Sequence, residues 1–179
     1  LIITSGGQQG IELITKSIVN EGDTVIVEEP SFIGALNAFR SYNANLVGVE
    51  VENDGINTEK LEKAVKENKN VKMLYVIPTF QNPSGNTMSL EKRKEVYRIC
   101  KQNNILIIED NPYGELTFDG VKIPTIKSMD TDGIVAYCGS FSKVIAPGLR
   151  VGFTIAPSEI ISKVVVAKQI SDVHTSMLP

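Results

Sequence analysis

The chain has 179 residues, 42% hydrophobic and 22% charged, with 18 Lys and Arg against 21 Asp and Glu. That composition belongs to an ordinary folded chain long enough for one real core, and it excludes a disordered one. A net charge of −3 without a basic cluster argues against nucleic acid and anionic membrane surfaces as partners.

Short β-branched runs alternate with amphipathic stretches along the whole chain. Strands are expected at residues 1–4, 24–28, 46–51, 72–77, 105–109, 134–138 and 151–156. Runs such as Val25-Ile26-Val27 and Leu106-Ile107-Ile108 lack polar alternation. That suits strands covered on both faces, hence a mostly parallel sheet. Even the longest such run, residues 105–108, is far short of a membrane span. Ile11, Ile14, Ile18 and Val19 share one face of a first helix. Thr58 is expected to cap a second, with Leu61, Ala64 and Val65 inward, and Ser89 a third, with Val96, Tyr97 and Cys100 inward. Pro157-Ser158 opens a last helix with Ile161, Val164 and Val165 inward. The expected architecture is α/β: a mostly parallel seven-stranded sheet with helices on both faces and right-handed crossovers.

The chain opens on Leu1-Ile2-Ile3-Thr4, a strand already under way, and stops at Met177-Leu178-Pro179 without a closing motif. It reads as a piece of a longer chain. Cys100 and Cys138 are too few and too far apart for a disulfide scaffold or a zinc site. No metal is called for, and a reducing, cytoplasmic setting fits. Both cysteines, with Tyr42, Tyr75 and Tyr137, read as packing residues, and the single His174 as a surface or packing residue.

The informative feature is where the unusual residues fall. Ser5-Gly6-Gly7-Gln8-Gln9-Gly10 follows the first expected strand, and Glu29-Pro30-Ser31-Phe32 follows the second. The fourth, fifth and sixth strands are followed by three more clusters. These are Pro78-Thr79-Phe80-Gln81-Asn82-Pro83, Asp110-Asn111-Pro112-Tyr113 and Gly139-Ser140-Phe141-Ser142-Lys143. In an open parallel sheet the carboxyl ends of the strands form the rim where ligands bind. One or two such clusters would be turns; five on one rim point to a site.

Each cluster has its own chemistry. Ser5–Gly10 leads from strand to helix, where glycines admit a ligand to the backbone and free N–H groups favour an anion such as phosphate. Its spacing is not the dinucleotide fingerprint. Asp110 closes a strongly apolar strand, and a carboxylate so near the core needs a partner. Ser140, Ser142 and Arg150 suit a phosphate, because Arg offers a planar donor fork and Ser short donors. A lysine beside them, Lys143, can act on a carbonyl once desolvation removes its proton.

Taken together, S-G-G-Q-Q-G, Q-N-P-S-G, E-D-N-P-Y and S-F-S-K-x-x-A-P-G-L-R resemble, in order and rough spacing, the large domain of the class I/II pyridoxal-phosphate-dependent aminotransferases of fold-type I. Gln8-Gln9-Gly10, Gln81-Asn82-Pro83 and Asp172-Val173-His174-Thr175 are most similar to the aminoadipate and kynurenine aminotransferase branch. The resemblance spans residues 1–179 as one pyridoxal-phosphate-binding large domain. Residues from about 158 lead toward a small domain that this chain does not contain, and an N-terminal segment is also missing.

The resemblance implies roles residue by residue. Lys143 would be the Schiff-base lysine, and Asp110 would pair with the pyridine nitrogen. Asn82 and Tyr113 would bond the ring's phenolic oxygen, and Phe32 would stack on the ring. Gly7, Gln8, Ser140, Ser142 and Arg150 would hold the phosphate. The branch often has Ser where this chain has Gly7, and Tyr where it has Phe32. Implied partners are an amino acid, a 2-oxo acid and a second copy in a homodimer. The same residues would also serve a β-lyase, racemase or decarboxylase, or the aminotransferase-like domain of a transcription regulator.

Overall fold

The unbroken apolar runs become the middle of a single sheet in the computed structural model, which describes residues 1–118 and 120–177. The last two residues of the closing Met177-Leu178-Pro179 segment lie outside the described residues. In chain order the elements are β1 (Ile2–Thr4), α1 (Gly7–Ile18), β2 (Thr24–Glu29), α2 (Ile33–Arg40), β3 (Asn45–Glu52), β4 (Gly55–Ile56) and α3 (Thr58–Glu67). There follow β5 (Val71–Val76), α4 (Leu90–Gln102), β6 (Leu106–Asn111), β7 (Val135–Ser140), β8 (Gly152–Ile155) and α5 (Ser158–Gln169).

Across the sheet the order is β1-β8-β7-β6-β5-β2-β3-β4. The strands from β7 to β3 are parallel, as expected of their two-sided burial. β8 is antiparallel to β7, and β1 is antiparallel to β8, so β1 runs in the same sense as the central strands. The described sheet has eight strands, not the expected seven. The extra one, β4, is a two-residue antiparallel partner of β3, too short to leave any periodicity in sequence.

Side chains alternate between two cores. On β5, Met73 and Tyr75 join Ile11, Leu13 and Ile14 of α1, Phe39 of α2 and Val164 of α5. Leu74 and Val76 join Leu61 of α3 and Val96, Ile99 and Cys100 of α4. Helices therefore cover both faces.

Three local expectations change. α2 carries too thin a signal to be read beforehand, because two of its three buried residues are alanines, Ala35 and Ala38. α3 is capped by Asn57, whose Oδ1 accepts from the Lys60 N–H at 2.8 Å, and Thr58 is already helical. On α5 the buried residues are Val164, Ala167 and Lys168, while Val165 is exposed and Ile161 half-buried. The run 160–166 is apolar on nearly every side, so its inward face is chosen by packing on α1. Ser89 caps α4 as expected, its Oγ accepting from the Lys92 N–H.

This topology builds the rim. The carboxyl ends of β1, β2, β5, β6 and β7 reach one edge of the sheet, and antiparallel β8 sets out from that same edge. Arg150, which precedes β8, is thereby delivered beside Ser140, which ends β7.

Candidate active site

The loops of that rim enclose a cavity of about 270 Å³. Its walls include Gly7 and Gln8 from the start of α1, Phe32 before α2, and Asn82 after β5. Asp110 and Tyr113 come from the end of β6, Ser140, Ser142 and Lys143 from β7 and its loop, and Arg150 from before β8. All ten residues singled out in the sequence meet in this one cavity. Ile11, Ile77, Pro112 and Pro147 complete it.

The floor is acidic and buried. Asp110 is 6% exposed, and its Oδ2 accepts a hydrogen bond from Tyr75 Oη at 2.6 Å. Burial pushes the Asp110 carboxyl up to about 6, opposed by that bond. Among the described residues no cation pairs with it. Tyr75, expected to be packing alone, is thus also the polar support of Asp110. Beyond it lies Glu28, 2% exposed, which accepts from the Ile77 N–H at 2.9 Å and from Gln81 Nε2 at 3.3 Å. Burial pushes Glu28 up to about 8. A run buried on both faces hides such groups, and Glu28, next to last in Thr24–Glu29, gave no warning that it would be enclosed.

One wall gathers donors for an anion. Arg150 Nη1 reaches Ser142 Oγ at 3.4 Å, and Arg150 Nη2 reaches the Ser5 carbonyl at 3.4 Å. The Ser142 N–H donates to Ser140 Oγ at 3.2 Å. Gly7 and Gln8 open α1, whose first N–H groups have no helical acceptor and carry partial positive charge. Gly6 makes the approach feasible: its φ is +83°, and a Cβ there would lie 2.4 Å from Arg150 Nη2.

On the opposite wall, Gln8 Nε2 donates to the Gly34 carbonyl at 2.8 Å. A Cβ on Gly34 would sit 2.5 Å from the Phe32 ring, so that glycine lets the ring lie against the turn. The loop carrying Asn82 is fixed from behind by Arg93, which is fully buried. Arg93 donates to the carbonyls of Pro78, Met88 and Pro124 and to Thr79 Oγ1. Its site in a charged helical stretch, Leu90–Gln102, gave no sign of this burial. Glu29–Pro30 and Asn82–Pro83 are cis peptide bonds in these two loops.

Lys143 lines the cavity on its exposed side. The desolvation expected for it is not supplied by this chain, because the loop 141–150 that carries it is largely exposed. Tyr137 also departs from pure packing, since its Oη accepts from Asn111 Nδ2 at 3.0 Å. His174 is exposed and stands outside the cavity, whereas Cys100 and Cys138 are buried, as expected.

The α/β rim thus sets a lysine, a buried carboxylate and a glycine-rich strand–helix turn around one cavity. The chain belongs to the aminotransferase class I and II family, whose model matches residues 1–178. It is 42% identical to aromatic-amino-acid aminotransferase 1 of Thermococcus litoralis over 180 residues, 98% of this chain and 43% of that protein. Among solved structures it is similar to the kynurenine aminotransferase of Pyrococcus horikoshii in complex with PMP. That match has a TM-score of 0.94 and 41% identity over 97% of this chain and 44% of the other. The α-aminoadipate aminotransferase of Thermus thermophilus, complexed with N-(5'-phosphopyridoxyl)-L-leucine, gives 0.93 and 37% over 98% and 46%. An uncharacterized HTH-type transcriptional regulator of Bacillus subtilis is 33% identical over 99% of this chain and 37% of its own length. The chain thus spans less than half the length of each of these proteins.

Proposed function

We propose that this chain is the pyridoxal-phosphate-binding part of an aminotransferase that moves an amino group between an amino acid and a 2-oxo acid. The observation that carries the reading is the convergence of Lys143, the buried Asp110 and the Gly7–Arg150 anion wall on one cavity. The donor set fits the cofactor. A phosphate has Ser140, Ser142, Arg150 and the start of α1; a protonated ring nitrogen has Asp110; the ring face has Phe32; and its phenolic oxygen has Asn82 and Tyr113.

When bound, the cofactor supplies an aldehyde for condensation with amines and a ring that accepts electrons from the substrate α-carbon. The chain's own residues do the rest. Asp110, supported by Tyr75, holds a proton on the ring nitrogen. The anion wall anchors the phosphate so that the reacting carbon stays in register with Lys143. Lys143 supplies the resting amine partner and then, as a free amine, moves a proton at the substrate α-carbon. We further propose a homodimer in the cytoplasm, the second copy covering the exposed side on which Lys143 stands.

Replacing Lys143 tests this reading. In the purified protein, Lys143→Ala is expected to abolish the absorbance band of the lysine–cofactor imine and to lower 2-oxo acid formation by about 10³-fold or more. Transamination at the parent rate would contradict it. Asp110→Ala is expected to slow exchange of the substrate α-proton with solvent, and an unchanged exchange rate would count against its role.

The regulator relative favours a second reading, in which the same site holds the cofactor in the aminotransferase-like domain of a transcription regulator. Glutamate formed per mole of protein from 2-oxoglutarate and an amino acid donor in excess separates the two: an aminotransferase turns over many times, a sensor does not.

A further inference from the structure

The end of α5 reaches back to the opposite side of the anion-binding turn. Lys168 is 5% exposed although it lies on a helix end with solvent near by. Its Nζ donates to Asp172 Oδ1 and Oδ2, both at 2.8 Å, and to Gln9 Oε1 at 3.0 Å. Asp172 Oδ2 also accepts from Gln9 Nε2 at 2.7 Å and from Ser5 Oγ at 2.8 Å. Gln9 Oε1 accepts in addition from the Ser5 N–H at 2.7 Å. The ammonium thus has three oxygens within hydrogen-bond distance, and both carboxylate oxygens are engaged.

An exposed Lys and Asp four residues apart on a helix would contribute little. A buried ammonium is costly unless all its donors are met. Here Asp172 and Gln9 accept from the ammonium, and Ser5 in turn donates to both of them, so the network closes on Ser5 and Gln9, the two residues that bracket Gly6, Gly7 and Gln8. Ser5 joins the other side as well, since its carbonyl receives Arg150 Nη2. The hydrogen bonds to Asp172 from Lys168, Gln9 and Ser5 also outweigh burial, which acts the other way, and hold its carboxyl below the usual range.

The geometry points to Lys168 and Asp172 as positioning residues that, through Gln9 and Ser5, hold the β1–α1 turn in the shape that receives the cofactor phosphate. This rests on the pyridoxal-phosphate reading above. Neither residue lines the cavity, so neither touches the ligand.

The test compares two ligands that differ only in the phosphate. Dissociation constants for pyridoxal 5'-phosphate and for pyridoxal are measured by absorbance titration on the cofactor-stripped protein, parent and variants. Asp172→Asn is expected to weaken pyridoxal 5'-phosphate by about tenfold while changing pyridoxal by less than about twofold. Ser5→Ala, which removes a single hydrogen bond and leaves the core intact, is expected to weaken the phosphate ester alone by about threefold. Equal weakening of both ligands, or unchanged binding of the phosphate ester in both variants, overturns the positioning role. A parent protein that binds neither ligand overturns the cofactor reading itself, and is told apart because the variants are then irrelevant to the result.

Discussion

Beneath the cavity floor, two carboxyl groups are paired with neutral donors in place of cations. Asp110 keeps one oxygen on Tyr75 and presents the carboxylate to the cavity, where a cationic ring N–H would complete it. Glu28 has no such outlet, and its environment favours the protonated acid, with a value of about 8 against an ordinary 4.5. A group whose folded-state value is raised contributes stability that is complete below its unfolded value and is lost as pH rises through the folded one. The parent is therefore expected to lose stability between about pH 5 and pH 8. Glu28→Gln, which keeps the shape and cannot ionise, is expected to be the more stable of the two above pH 8, by roughly 2–4 kcal/mol relative to their difference at pH 5. Urea unfolding at both pH values measures it, and parallel profiles would contradict it. That Lys143 and Asp110 would stand on one rim was legible from sequence because odd residues followed apolar strands, and Arg150 because it closes the same polar segment as Lys143. Tyr75 and Glu28 were not, because a buried polar group inside an apolar run looks like the run until its neighbours across the sheet are known.

At the scale of single elements, the ends decide more than the middles. The helix at Thr58–Glu67 begins one residue earlier than a Thr58 cap implies, because Asn57 reaches the Lys60 N–H and leaves Thr58 with helical geometry. Asn57→Ala is expected to cost about 1 kcal/mol of stability in chemical denaturation, and Thr58→Ala only a few tenths. The reverse order would restore Thr58 as the cap. Strands with unbroken apolar runs were easy to place in sequence. α2 was not, since alanines at its buried positions give a small contrast between faces. α5 was placed but turned wrongly, since Ile160, Ile161, Val164, Val165 and Val166 offer two faces of similar hydrophobicity. In both cases the deciding contacts come from α1, far away in the chain.

For the whole molecule, the strand order explains how residues 7 to 150 reach one cavity. β8 and then the edge strand β1 extend the sheet beyond β7, so the first turn of the chain and Arg150 line the same cavity as Lys143. The rim rule for parallel sheets made the clustering of five loops readable in advance, and the antiparallel β8 that brings Arg150 was not. Lys143 itself is exposed on the open side of that cavity. On the proposed reading, this one amine carries the cofactor. Reducing the pyridoxal-phosphate-loaded protein with borohydride, digesting it and mapping the peptides by mass spectrometry tests that most directly. One phosphopyridoxyl group on Lys143, and none in Lys143→Ala, is the predicted result; a label on a different lysine, or no label at all, would contradict it.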